Sequence, residues 1–166
     1  MKSGANAEVN ASLKSKTAFF IGDDQINRSS LNNLSQKLER TIDTLIKKEI
    51  LYFGCAGLSE FGLLSVRAIM NARTKNPAIK MILILPYKQQ YKIHTRLNPQ
   101  DYDKILKDAD KVVHVSEKHS PDCYRKHILH LLKHSGVCVA YVKHTQRETQ
   151  KIVELARNEG LEIVLI

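Results

Sequence analysis

The chain has 166 residues, 43% hydrophobic and 26% charged, a balance that excludes wholesale disorder and fits one domain with its own core. No apolar run approaches the roughly 18–20 residues that a membrane span needs, so no membrane association is expected. The 26 basic residues outnumber the 17 acidic ones, and a formal charge of +9 favours anionic partners: nucleotides, nucleic acid or an acidic protein surface.

The excess charge is spread out. Residues 1–83 carry 12 basic and 7 acidic side chains, residues 84–166 carry 14 and 10. A nucleic-acid arm is normally a dense basic block, so nucleic acid is only weakly supported and a solvated basic surface explains the charge. Three cysteines, Cys55, Cys123 and Cys138, form no CxxC pair. An odd number at wide spacing argues against a disulfide framework and for a reducing compartment, with the cytoplasm as the default location. Residues 1–16 have no apolar signal-peptide core and read as a flexible polar lead-in to a single domain over residues 17–166.

Short apolar runs then alternate with amphipathic ones. Thr17 to Ile21 reads as a buried strand closed by Gly22. Ser29 or Ser30 is placed to cap a helix whose apolar face is Leu31, Leu34, Leu38, Ile42, Leu45 and Ile46. Ile50 to Phe53 is a second strand, followed by a helix over Leu58 to Ala72. Ile79 to Leu85 is the third strand, stopped by Pro86. The polar stretch after it is expected to be irregular or a short helix, with another helix over Pro99 to Asp108. Lys111 to Ser116 is strand four, and Ser120-Pro121 opens a helix to His134 with proline in its first turn. Gly136 to Val142 is strand five, Arg147 to Asn158 a helix ended by Gly160, and Leu161 to Ile166 strand six. Near-continuous apolar strands between helices imply right-handed βαβ units. The expected fold is α/β: a three-layer Rossmann-like sandwich with a parallel six-stranded sheet. Ligands in such folds bind beyond the carboxyl ends of the strands, which directs attention to the loops after Ile21, Phe53, Leu85, Ser116 and Val142.

Gly22-Asp23-Asp24-Gln25 follows the first strand. The glycine permits close backbone approach, and the adjacent carboxylates repel phosphate but suit ribose hydroxyls, a metal or general-base work; equally, they suit a turn and a cap. Gly54-Cys55-Ala56-Gly57-Leu58-Ser59-Glu60 follows the second strand, with small residues before a helix N-terminus, a setting suited to an anion. Ser59 and Glu60 fit a first helical turn as well, and Cys55 fits a buried inert thiol. His127, His130 and His134 fall on one helical stripe with Cys123 one turn earlier. No second ligand pair is visible, so no metal site is expected and the stripe reads as a basic or interfacial helix face.

Read together, five segments resemble the SLOG superfamily, YpsA-like branch, over roughly residues 17–166. They are TAFFIG, YFGCAGLSEFGLLSVRAIM, NPAIKMILILPYKQQ, YDKILKDADKVVHVS and RETQKIVELARNEGLEIVLI. The resemblance implies a Rossmann-like domain related to DprA and to the cytokinin-activating phosphoribohydrolases. The site motifs of that family are eroded here. Its Gly-His-Arg becomes Gly22-Asp23-Asp24, and its second glycine-rich loop, aligned on Phe61, has Glu60 for a glycine and Gly62 for an aspartate. Its Arg-Asn pair is at best Arg125-Lys126, and its Gly-Gly-Thr becomes Arg147-Glu148-Thr149. Two glycines that would meet a phosphate are now large charged residues.

The resemblance thus implies a nucleotide or nucleotide-derived ligand, such as an ADP-ribose-like molecule, bound with altered specificity. Gly22, Asp24, Gly54, Cys55, Gly57, Arg147 and Thr149 are the candidate ligand contacts, with Arg147 replacing the lost backbone cradle by its guanidinium. If the domain is an enzyme, N-glycosidic hydrolysis of a nucleotide is the implied reaction. Glu60 and Asp23 are its candidate carboxylates, beside Glu148, although the relatives' Pro-Gly-Gly-x-Gly-Thr-x-x-Glu motif is absent. The alternative is a catalytically inactive protein-interaction module. A homodimer is expected by resemblance, and no cofactor is identified.

Overall fold

The computed structural model describes residues 3–88, 97–143 and 147–166, with side chains from Glu8 onward. Six strands, β1 (Thr17–Gly22), β2 (Tyr52–Cys55), β3 (Lys80–Tyr87), β4 (Lys111–Ser116), β5 (Val137–Tyr141) and β6 (Glu162–Leu165), form one sheet. Every pairing is parallel and the spatial order is β4-β3-β2-β1-β5-β6. The helices are α1 (Ser3–Ser15), α2 (Leu31–Lys47), α3 (Glu60–Lys75), α4 (Pro99–Asp108), α5 (Cys123–His134) and α6 (Arg147–Asn158).

Side-chain alternation explains why the strands read as unbroken apolar runs. Ala18, Phe20, Phe53, Leu83, Leu85 and Val139 pack on one face with Leu38 and Ile42 of α2, Phe61 and Ile69 of α3 and Tyr102 of α4. Phe19, Ile84, Cys138 and Ala140 point the other way, onto Leu131 of α5 and Val153 of α6. Both faces of the sheet are covered, as a parallel sheet requires. The three-layer α/β sandwich expected from the sequence is the fold observed.

Two local features differ from the sequence reading. The N-terminal segment expected to be a flexible lead-in is helical in α1. Thr17 Oγ1 donates to Leu13 O at 2.6 Å, and Lys16 N–H also donates to Leu13 O, tying the helix end to β1. The helix expected to open at Ser120-Pro121 begins at Cys123 instead: Cys123 N–H donates to Ser120 O, so the serine-proline pair forms a turn ahead of it. Residues 89–96 of the polar stretch after β3 lie outside the described residues.

The strand order places a switch point at β1. From β1 the chain winds outward through β2, β3 and β4, then returns to lay β5 on the other side of β1. Helices following β1 and β5 therefore leave toward opposite faces, and a crevice opens beyond the carboxyl end of β1, bounded by the β2–α3 loop and the first turns of α5 and α6.

Candidate functional site

That crevice has a volume of about 420 Å³. One wall is the loop after β1 and the start of α6: Gly22, Asp24, Glu148 and Thr149. The second is the β2–α3 connection, with Gly57, Ser59 and Gly62, and the far end is built from Pro86, Tyr102, Tyr124 and His127.

The β2–α3 connection is a tight loop before a helix. Ser59 is the N-cap of α3, and its Oγ accepts from Gly62 N–H at 3.2 Å, satisfying one orphan donor of the first turn. Gly57 has φ +130°, a conformation that favours glycine, and a Cβ there would meet nothing within 4 Å. Its backbone thus faces open space. At Gly62 the situation is reversed: a Cβ would come within 2.2 Å of Gly57 O, so the helix can approach its own loop only because residue 62 is glycine.

Gly22 makes room for a side chain rather than for a ligand. A Cβ there would lie 2.5 Å from two ring carbons of Phe61. Phe61 is fully buried and stacks on Tyr141 with centroids 5.7 Å apart, so an aromatic pair fills the space behind the β1 loop.

The adjacent aspartates separate completely. Asp23 is buried beneath the crevice, where Oδ1 accepts from Thr149 Oγ1 at 2.5 Å and Oδ2 accepts from Lys143 N–H at 2.5 Å. Its own N–H donates to Tyr141 O. It braces the β1 loop against β5 and the first turn of α6. Lys143 Nζ adds a bond to Gln25 O across the same gap. Asp24 is exposed and lines the crevice. Glu60 is another brace: its Oε2 accepts from Ile26 N–H at 3.0 Å, fixing α3 to the segment after β1.

Of the residues nominated from sequence, Gly22, Asp24, Gly57 and Thr149 are brought together around the crevice. Arg147 is exposed at the start of α6 and is not part of the crevice walls. Gly54 and Cys55 are buried within the sheet. Burial pushes the Cys55 thiol up to about 12, which makes it inert at neutral pH. All three cysteines are free and buried.

The aromatic end was not legible from sequence. Tyr87, His119 and Tyr124 form mutual edge-on contacts with centroids 5.3–6.4 Å apart. Burial, with Tyr87 beside it, raises the Tyr124 phenol to about 12, so it stays protonated. His127 does not belong to an exposed stripe. It is buried against β3, and its Nε2–H donates to Ile84 O at 2.7 Å. A carbonyl can only accept, so the proton sits on Nε2. Burial lowers the His127 pKa to about 4, leaving Nδ1 unprotonated at neutral pH, with no hydrogen-bond partner for it among the described residues. His130 and His134 continue along α5 with ring centroids 4.4 Å apart. Among the described residues no three His, Cys, Asp or Glu side chains cluster as a metal site would require, and no helix is long and apolar enough to cross a membrane.

Comparison with known proteins places this geometry. A family model described as the YspA SLOG family matches residues 18–162. No curated protein matches. Among solved structures, the chain is similar to the X-ray structure of DNA processing protein A (DprA) from Streptococcus pneumoniae, with a TM-score of 0.60 at 9% sequence identity. The likeness covers 92% of this chain and 50% of that one, so the chain spans about half the length of this structural relative, and at that identity the likeness is one of fold. The family match runs from β1 into β6 and takes in every wall of the crevice: the chain belongs to the YpsA family of SLOG domains.

Proposed function

We propose that this domain binds a nucleotide or nucleotide-derived ligand in the crevice beyond the carboxyl end of β1. The carrying observation is the crevice itself: about 420 Å³ at the switch point of strand order, bordered by the open backbone of Gly57 and by aromatic side chains. Small-molecule sites typically span about 300–1,000 Å³. Gly57 and Ser59 at the start of α3 suit the more polar part of such a ligand, and Tyr124 and Pro86 suit a flat ring.

The reading is one of binding with altered specificity rather than of N-glycosidic hydrolysis. Both nominated carboxylates, Asp23 and Glu60, accept hydrogen bonds that brace loops, and a carboxylate so engaged is poorly placed to support an oxocarbenium-like transition state. The second reading, an inactive interaction module, draws on Phe61, whose ring occupies the space beside Gly22. DNA binding is not carried over from the DNA-processing relative, because the likeness reaches the fold only.

A thermal-shift panel of nucleosides, nucleoside monophosphates, nicotinamide dinucleotides and ADP-ribose tests the proposal. A ligand at 100 times its Kd adds about 2.7 kcal/mol, which raises the Tm of a domain this size by roughly 5–10 °C. Raised Tm with one class supports the site. A flat panel on a cooperatively folded protein favours the interaction module.

A further inference from the structure

The charge of the crevice is opposite to that of the chain. Asp24 and Glu148 line it, and no lysine or arginine does so among the described residues. Among the described walls, a polyphosphate entering here meets two carboxylates and no guanidinium or ammonium group. The inner end adds a specific acceptor. His127 lines this end and is held by its Nε2–H···O bond to Ile84, which leaves Nδ1 as its lone-pair nitrogen. A phosphate oxygen is repelled by a lone pair, whereas a ring N–H or amino group is matched by it. Tyr124 stands beside it, 41% exposed and held edge-on by Tyr87 and His119, as a surface on which a flat ring can rest.

Resting on the nucleotide-site reading, we infer that the crevice recognises the nucleoside end of its ligand. His127 Nδ1 accepts a hydrogen bond from an N–H donor of the base, the base lies against Tyr124, and Asp24 and Glu148 select against polyphosphate. His127 is a specificity residue in this scheme. The favoured class is a neutral nucleoside or a nucleoside carrying one phosphate.

Isothermal titration of the full chain with adenosine, cytidine, purine riboside (adenosine without its amino group), AMP, ATP and pyrophosphate tests this. The expected order is adenosine or cytidine within tenfold of its monophosphate, ATP at least tenfold weaker than AMP, and pyrophosphate without measurable heat. Purine riboside should bind at least fivefold more weakly than adenosine if adenosine is the bound base. The discriminating variant is His127→Gln. Its amide N–H can take over the Nε2–H bond to Ile84 O while the Nδ1 lone pair is lost, so it should keep the fold and lose tenfold or more in nucleoside affinity. Should His127→Gln unfold the chain, the purine riboside comparison still reads the same hydrogen bond. Affinity that climbs with phosphate number, or that ignores both His127→Gln and the missing amino group, overturns the inference and leaves the nucleotide site standing. Absence of binding by every probe overturns both.

Discussion

Asp23 and Asp24 are neighbours with the same side chain, yet one is a buried brace and the other a crevice wall, and the difference is energetic as well as positional. The two oxygens of Asp23 satisfy the buried Thr149 hydroxyl and the half-buried Lys143 N–H. Asp23→Ala leaves two donors unpaired and is expected to cost about 2–3 kcal/mol. Chemical denaturation measures it, and a cycle with Thr149→Val should show a coupling above about 0.5 kcal/mol; additive effects would mean that the two side chains do not act as a unit. Gly22 offers a second prediction. The Cβ of Gly22→Ala must displace the Phe61 ring, at about 1–3 kcal/mol, and the same change should cost clearly less in a Phe61→Val background, where the ring is gone. An equal loss in both backgrounds would place the constraint in the backbone instead. Sequence alone marked Gly22, Asp23 and Thr149 as positions to watch, but it left the aspartates' roles open. A residue type fixes what a group can do, and only the surrounding donors decide whether it is free to do it. Glu60 shows the same: its carboxylate sits where a first-turn acid belongs, and it serves the Ile26 N–H thirty-four residues away.

At the scale of the element, α5 carries the chain's clearest pH dependence. His127, His130 and His134 fall on one side of the helix, which suggests a common environment. The boundary between interior and solvent instead passes through that stripe: His127 is buried, while His134 is exposed. Burial holds His127 near 4 in the folded state against 6.5 for a free imidazole. Between those values the unfolded chain binds the proton and the folded chain does not, so folding stability falls as the pH drops from about 6.5 toward 4. The full effect is about 3 kcal/mol, because each tenfold loss of proton affinity on folding is worth about 1.4 kcal/mol. Urea midpoints at pH 7, 6, 5 and 4.5 should decline accordingly, and His127→Gln should flatten that decline. The residual slope belongs to His130, His134 and His114, which burial also lowers and which act in the same direction. An unchanged slope in the variant would place the titration elsewhere. The strands and most helices were legible because their apolar periods are strong. Helix α1 was not: its side of the sequence has few apolar residues, Val9 and Leu13 remain exposed, and its anchoring to β1 is by hydrogen bonds that leave no period. The start of α5 was misplaced because Ser-Pro-Asp satisfies helix-entry and turn chemistry alike, and here the turn wins.

For the whole molecule, alternating strands and helices announce a doubly wound sheet, but they do not say on which side of β1 the return strand falls. That order is decided by the crossover from β4 to β5, and it is what brings Glu148 of α6 to the same crevice as Gly57. The formal charge, +9, describes the exterior and gives the wrong sign for this site. The two views predict opposite responses to salt. If the basic exterior governs association, AMP affinity relative to adenosine falls as salt screens the attraction. If Asp24 and Glu148 govern it, screening relieves repulsion and the ratio rises. Charges on the crevice wall act over a few ångströms, inside the screening length of about 10 Å at 0.1 M salt, whereas the excess lysines and arginines are dispersed over a surface of 10244 Å². A carboxylate at close range in a water-like medium is worth about 1 kcal/mol, roughly fivefold in affinity. The AMP-to-adenosine affinity ratio should therefore increase about two- to fivefold between roughly 0.05 and 0.5 M salt, and Glu148→Gln should raise it at low salt while shrinking that increase. A ratio that instead falls across the titration would show that cations outside the described walls reach the bound phosphate, and the crevice would then have to be read as an anion site.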